Sequence, residues 1–174
     1  MQRRTVTIAA VAAAAAAAGG ALSWWRLAPT DPAAGAEQAF WALRWDAPDG
    51  GEIQAQAFRG RPLLVNFWGT WCPPCVEELP LLERFYRERQ ASGWQVLALA
   101  IDQPSAVRQF LQRQPLSFPI GLAGLGGTEL ARSLGNTTGA LPFTVVFDRS
   151  GRVAQRKLGQ VKPSDLQAWV DAIR

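Results

Sequence analysis

The longest buried-looking run is Leu63 to Phe67, apolar at every position except Asn66. Such a run, bounded by Arg59-Gly60-Arg61-Pro62 before it, predicts a strand covered on both faces. Upstream, Phe40 to Trp45 alternates large apolar with small or polar residues, and Ile53 to Phe58 resumes that pattern. Asp49-Gly50-Gly51 between them is a turn signal, so the two segments predict a β-hairpin. Downstream, Val76 to Gln90 has the spacing of a helix, with Leu79, Leu82, Phe85 and Tyr86 as its buried stripe. Pro73 and Pro74 stand at its start, where proline is tolerated, and Pro80 is expected to kink it. Gly93 closes the unit, and Trp94 to Ile101 reads as a second buried strand. Helices are predicted over Ser105 to Gln114 and Thr128 to Leu134, the latter closed by Gly135. Phe143 to Phe147 is a third strand, Asp148-Arg149-Ser150-Gly151 a tight turn, and Arg152 to Leu158 the paired strand. Pro163 to Ile173 is a last helix, with Ser164 and Gln167 spaced as a capping box. The order hairpin, strand, helix, strand, two helices, two strands, helix implies an α/β fold, a mixed sheet between helices.

The amino end differs from this body. Thr5 to Trp25 is an uncharged run of 21 residues, ten of them alanine, long enough to span a bilayer as a helix. Arg3 and Arg4 precede it, and Trp24, Trp25 and Arg26 follow as an interfacial anchor. Residues 1–27 are therefore expected to be a signal-anchor in the inner membrane, with the rest of the chain on the periplasmic side. The alternative is a cleaved signal peptide, for which Ala16-Ala17-Ala18 offers an A-x-A site, leaving a soluble periplasmic domain. Residues 28–38, with Pro29, Pro32 and Gly35, read as a linker, and residues 39–174 as one domain.

Composition narrows the function. Of 18 lysines and arginines, Arg3, Arg4 and Arg26 flank the apolar run, leaving 15 against 14 acidic residues in the body. That near balance, without a basic stripe, argues against nucleic-acid binding. The chain has no histidine, which excludes Cys-His dyads and histidine-ligated metals. Two cysteines are too few for an intramolecular zinc or iron–sulfur site, and Val76 after Cys75 excludes a C-x-x-C-H haem attachment. No cofactor or metal is expected.

Those two cysteines, Cys72 and Cys75, lie two residues apart between the strand and the helix. There the helix dipole and free backbone N–H groups are expected to stabilise a thiolate. A second thiol one turn away makes thiol–disulfide exchange the natural chemistry. A structural bridge this short closes too small a loop to stabilise much. Glu78, one turn after Cys75, is the candidate proton acceptor, set against the simpler reading of a solvated helix residue like Glu77. Asp102 after the second strand reads as a solvated loop residue. Trp68, Trp41, Trp45, Trp94 and Trp169 are assigned to packing.

The stretch Val65-Asn66-Phe67-Trp68-Gly69-Thr70-Trp71-Cys72-Pro73-Pro74-Cys75 resembles the active-site segment of the thioredoxin superfamily, and within it the membrane-anchored TlpA/ResA-type branch. Glu78 and Pro80 fit that branch's helix. Gly139, Pro142, Thr144, Asp148, Gly151 and Val153 match its G-x-x-P-x-T-x-x-x-D-x-x-G-x-V run. The hairpin and the segment Gln103 to Thr138 resemble its N-terminal extension and central insertion. The resemblance, covering roughly Phe40 to Arg174, implies a thioredoxin fold and a redox-active Cys72–Cys75 disulfide. It further implies a cis Leu141–Pro142 bond facing the cysteines and an exposed Trp71 on the docking face. Trp71, Pro73, Leu141 and Pro142 would then meet the substrate. Asn66 stands where cytoplasmic thioredoxins carry a buried aspartate, so that proton acceptor is lacking. By the same resemblance the activity is reduction of disulfides in envelope proteins, such as apocytochrome c or copper-site proteins. A transmembrane thiol–disulfide carrier would supply the electrons. The rival readings are a disulfide-forming oxidant, a thiol peroxidase (Thr70 gives an off-register echo of T-x-x-C) and a copper(I) chaperone using the two thiolates.

Overall fold

The computed structural model describes residues 32–173. The apolar run Thr5 to Trp25, and with it the anchor and signal-peptide readings, lies outside the described residues. Among the described residues no helix is long and apolar enough to cross a membrane.

The described chain begins with helix α1 (Pro32–Phe40) and the hairpin strands β1 (Arg44–Asp46) and β2 (Glu52–Gln54), then a 3₁₀ turn, Ala55–Phe58. Strand β3 (Leu63–Trp68) leads into helix α2 (Pro73–Arg89), and β4 (Gln95–Ala100) into α3 (Pro104–Arg113). Then come β5 (Ile120–Leu122), α4 (Gly126–Ser133), β6 (Phe143–Phe147), β7 (Val153–Leu158) and α5 (Pro163–Ala172). The seven strands form one mixed sheet in the order β2-β1-β5-β4-β3-β6-β7. β3 and β4 are parallel across the α2 crossover, and β6 runs antiparallel to β3. The architecture is a thioredoxin-like fold with a hairpin extension.

Side-chain alternation on β3 builds two core layers from one strand. Leu63, Val65 and Phe67 enter the layer that holds Phe40, Leu97, Leu99, Ala131 and Phe147. Leu64 and Trp68 enter the opposite layer, against Leu79, Leu82, Phe110, Leu166 and Trp169. All six residues of β3 are buried, which is why its sequence is apolar almost throughout. Asn66 shares the second face, the one covered by α2. That parity aims its amide at the helix rather than at solvent.

Several sequence expectations need correcting. Residues 28–38 are not a linker throughout, because Pro32–Phe40 is helical. Ala36, Glu37, Gln38 and Ala39 are good helix formers, and Phe40 anchors the end by stacking on Phe147 at 4.6 Å. The first hairpin strand therefore spans three residues, not Phe40 to Trp45, and Ala55–Phe58 turns away as 3₁₀ instead of extending β2. Strand β5 was not expected, since a three-residue strand has no visible period. It pairs parallel to β4 and antiparallel to β1, so it ties the hairpin to the sheet. Its Gly121 is required by close approach: a Cβ there would lie 2.9 Å from Leu99 Cδ2 and 3.0 Å from Trp45 Cβ. The last helix is capped two residues earlier than Ser164 and Gln167 suggest, at Lys162. The Lys162 backbone N–H donates to Asp165 Oδ2 at 2.7 Å. Helix α2 continues through Pro80 to Arg89.

Trp41, Trp45, Trp94 and Trp169 are all buried, and Trp41 Nε1 donates to the Gly151 carbonyl at 2.8 Å. Packing accounts for each of them.

Candidate active site

Strand β3 ends at Trp68, and α2 starts at Pro73, so Gly69 to Cys72 make the turn that presents the cysteines. Cys72 is the N-cap residue, with extended backbone. Its carbonyl accepts from the N–H of Cys75 at 3.0 Å and of Val76 at 3.1 Å. Cys72 and Cys75 are joined as a disulfide, with Cα atoms 5.3 Å apart. Cys72 keeps 5% of its surface open, whereas Cys75 is fully enclosed. Cys75 offers no surface and Cys72 a little, so an incoming partner meets Cys72 first.

In this disulfide form no backbone N–H is aimed at Cys72 Sγ. An N-cap side chain accepts from the second or third helical N–H. The first and second helical residues are Pro73 and Pro74, which have none, and the third N–H, of Cys75, is taken by the Cys72 carbonyl. Cys72 Sγ makes no capping hydrogen bond.

The turn is tied down from the central segment. Asp102 Oδ2 accepts from the Thr70 backbone N–H at 2.8 Å and from Thr70 Oγ1 at 2.6 Å, while Oδ1 accepts from Gln103 N–H at 2.7 Å. Asp102 is thus no free loop carboxylate. It clamps the residue two positions before Cys72, and it occupies the hydroxyl that a peroxidatic threonine would need. Replacing Asp102 by Ala strands those donors. A stability loss of about 1–3 kcal/mol is expected, read as a lowered urea midpoint at unchanged slope. An unmoved midpoint would show that the clamp holds nothing.

Trp71 is 62% exposed beside Cys72, with its ring folded over Gly69 and Nε1 donating to the Ile101 carbonyl at 3.2 Å. A Cβ on Gly69 would lie 2.7 Å from that nitrogen, so glycine is what lets the ring lie down. Trp68, by contrast, is fully buried among core aromatics, 5.1 Å from Phe110.

Behind the cysteines lies a buried polar group. Glu78 is 3% exposed, on the α2 face turned to the sheet. Asn66 Nδ2 donates to Glu78 Oε1 at 2.7 Å and to Thr144 Oγ1 at 3.0 Å, and the Val161 N–H donates to Glu78 Oε2 at 2.7 Å. Asn66 Oδ1 has no partner among the described residues. Burial pushes the Glu78 carboxyl up to about 7; the hydrogen bonds from Val161 and Asn66 and the charge of Lys157 oppose this without cancelling it. Glu78 is therefore unlike Glu77, which is exposed and accepts from Gln160 Nε2 at 2.9 Å. A carboxyl balanced near neutral pH, one helical turn from Cys75, can hold or release a proton under ordinary conditions.

Leu141–Pro142 is a cis peptide. Leu141 packs against the core layer that includes both cysteines. The Pro142 carbonyl accepts from Gly159 N–H at 2.8 Å, and the Leu141 backbone makes no hydrogen bond to the other described residues.

Sequence reasoning missed the role of Asp102 and the stabilising partner of Glu78 from Val161. Both contacts join residues far apart in the chain, and no local pattern announces them.

Comparison with known proteins agrees with this geometry. The Redoxin family model matches residues 36–171. The thiol-disulfide oxidoreductase ResA of Geobacillus thermodenitrificans (strain NG80-2) is 31% identical over 127 residues, 72% of this chain and 71% of that one. ResA of Bacillus anthracis is 29% identical over 126 residues, covering 72% and 70%. Among solved structures, a secreted thiol-disulfide isomerase from Corynebacterium glutamicum superposes with a TM-score of 0.64 at 26% identity, over 73% of this chain and 80% of that one. StoA from Bacillus subtilis shares the fold, with a TM-score of 0.60 at 23% identity over 74% and 97%.

Proposed function

The chain belongs to the redoxin family and is a ResA-like thiol–disulfide oxidoreductase acting on disulfide-containing proteins, and from that premise we propose that it works as an exported reductase through Cys72 and Cys75. The reduced Cys72 thiolate attacks one sulfur of a client disulfide, forming a mixed disulfide and releasing the other client sulfur as a thiol. Cys75 then attacks Cys72 Sγ, which breaks the mixed disulfide and releases the second client thiol. Two enzyme thiols are oxidised and one client disulfide is reduced. Glu78 accepts the Cys75 proton in the second step. Trp71, Pro73 and the backbone of Leu141 and Pro142 hold the client strand. A transmembrane thiol–disulfide carrier reduces the Cys72–Cys75 bridge again. Export to the periplasmic side of the membrane is supported by the uncharged run Thr5 to Trp25 behind Arg3 and Arg4. Apocytochrome c and copper-site proteins, whose cysteines must be reduced before they bind their groups, are the clients in view.

The direction rests on one observation, a helix start whose first two residues carry no N–H. A strong oxidant of this kind owes its potential to stabilisation of its reduced form. Here Pro74 denies the Cys72 thiolate one of the two N–H groups, at the second and third helical positions, that would provide it. The disulfide is thereby favoured, and the dithiol becomes a donor of electrons. The protein is expected to equilibrate with thiol buffers near the reducing end of the superfamily, about −270 mV. Pro74→Ala restores the N–H at the second helical position. A hydrogen bond to a charged group contributes about 1.5–3 kcal/mol. The potential of this variant should therefore rise by roughly 30–60 mV. A wild-type value near −120 mV would reject the reductase direction and install the oxidant in its place.

A further inference from the structure

Beside Trp71 lies a feature that the sulfur chemistry leaves unused. A groove of about 620 Å³ lies between Trp71, the Ile101–Pro104 turn and the loop from Leu122 to Leu125. Two of its large apolar contributors stand in water: Trp71 is 62% and Leu125 89% exposed. Leu125 is held there by backbone, not by packing. It is the N-cap of α4, set between Gly124 (φ +52°) and the pair Gly126 and Gly127. Gly127 fits so closely that a Cβ would lie 2.8 Å from both Ala123 Cβ and Ile101 Cγ1, so the loop has one way to sit. A fixed loop that presents a leucine to solvent does nothing for the core.

The charge of the groove has one sign. Asp46 and Asp102 line it, and no lysine or arginine does. Asp46 is exposed and makes no salt bridge or side-chain hydrogen bond with another described residue. Asp46 reaches this wall because it pairs with Leu122 across the β1–β5 edge. The groove also reaches the neighbourhood of the cysteine pair, since Trp71, the residue directly before Cys72, lines it. By contrast, the groove between α2 and α5 is lined by Arg84 and Arg89 as well as Glu88 and lies along a different helix face.

We propose that this groove receives an extended client segment, seating an apolar side chain against Trp71 and Leu125 and a lysine or arginine near it against Asp46 and Asp102. It thereby selects clients whose disulfide cysteine is flanked by one apolar and one basic residue. The selection rests on the Cys72–Cys75 exchange described above, and its test separates the two.

The probes are two synthetic peptides of identical length, each closed by one disulfide and carrying a leucine beside the first cysteine. They differ only in lysine or glutamate next to that leucine. Reduced full-length protein is mixed with each, and its rate is divided by its own rate with a small aromatic disulfide. The lysine peptide should be reduced roughly three- to tenfold faster than the glutamate peptide, with the ratio shrinking toward one in high salt. Asp46→Lys should abolish or invert the preference, and Asp46→Asn should reduce it. Leu125→Ser should lower the normalised rate for both peptides through KM. Equal normalised rates for the two peptides, or a preference untouched by either Asp46 variant, overturn the groove while leaving the exchange intact. Failure to reduce even the small disulfide overturns the exchange itself.

Discussion

Cys72→Ser loses disulfide reduction by more than about 10³-fold, the scale on which removal of a covalent nucleophile is read. The expectation is this large because no second route exists. Cys75 is fully enclosed, and the chain has no other cysteine, so no thiol remains that a client can reach. Cys75→Ser gives a different phenotype from the same chemistry. The first step still proceeds at Cys72, but nothing resolves its product, so the client stays bound through one sulfur. Non-reducing gels of the envelope fraction should show higher-mass bands that disappear on adding thiol, from Cys75→Ser and not from Cys72→Ser. The trapped proteins identify clients and donor together. Residual turnover in Cys72→Ser above a few per cent would remove Cys72 from the leading role. Bands equally abundant in both variants would reassign the trapping to something other than this pair.

What could be read in advance depended on whether the cause was local. β3 was legible because both its faces are buried, which forces an apolar residue at nearly every position. The cysteine pair was legible because its spacing and its place between strand and helix are themselves the chemistry. The hairpin was legible from Asp49-Gly50-Gly51, where Gly50 and Gly51 adopt φ of +99° and +88°. Helix α1 was hidden, since Pro29, Pro32 and Gly35 gave its surroundings the look of a linker while Phe40 drew its end into an imagined strand. β5 was hidden by its three residues. The Asp102 clamp was invisible for a stronger reason: its partner Thr70 lies 32 residues away, and only the parallel β3–β4 pairing brings the two strand ends together. The Pro73-Pro74 pair was visible as residues but misread as consequence. A helix N-terminus usually offers donors, and here the sequence itself removes the first two.

Glu78→Gln should flatten two pH profiles at once, and the sign of each follows from the raised carboxyl. The group titrates at about 7 in the folded protein against an ordinary 4.5, because burial disfavours its charge. Between those values the folded state holds a proton that the unfolded chain has lost, so stability falls as pH rises through this window. The full effect is about 3 kcal/mol, complete near pH 8 and absent below pH 4.5. Glu83, Asp148 and Asp165 do not obscure it. Their carboxyls are held below the ordinary range by hydrogen bonds and nearby cations, so their stabilisation is lost in acid, below this window. Urea titrations at pH 5 and pH 8 should show the wild type weaker at the higher pH and the glutamine variant nearly level. The glutamine has a single acceptor oxygen, so either Asn66 Nδ2 or Val161 N–H meets its NH2 group instead, and some loss at pH 5 is expected. The diagnostic is therefore the slope and not the height. The catalytic profile carries the same signature. If Glu78 takes the Cys75 proton, turnover in the wild type rises through pH 7 as the carboxylate forms. In the variant that inflection disappears, with a loss of about 10²-fold above it. A stability slope that vanishes while the turnover inflection survives would leave Glu78 a buried polar support for Asn66 and Val161, with another group carrying the proton.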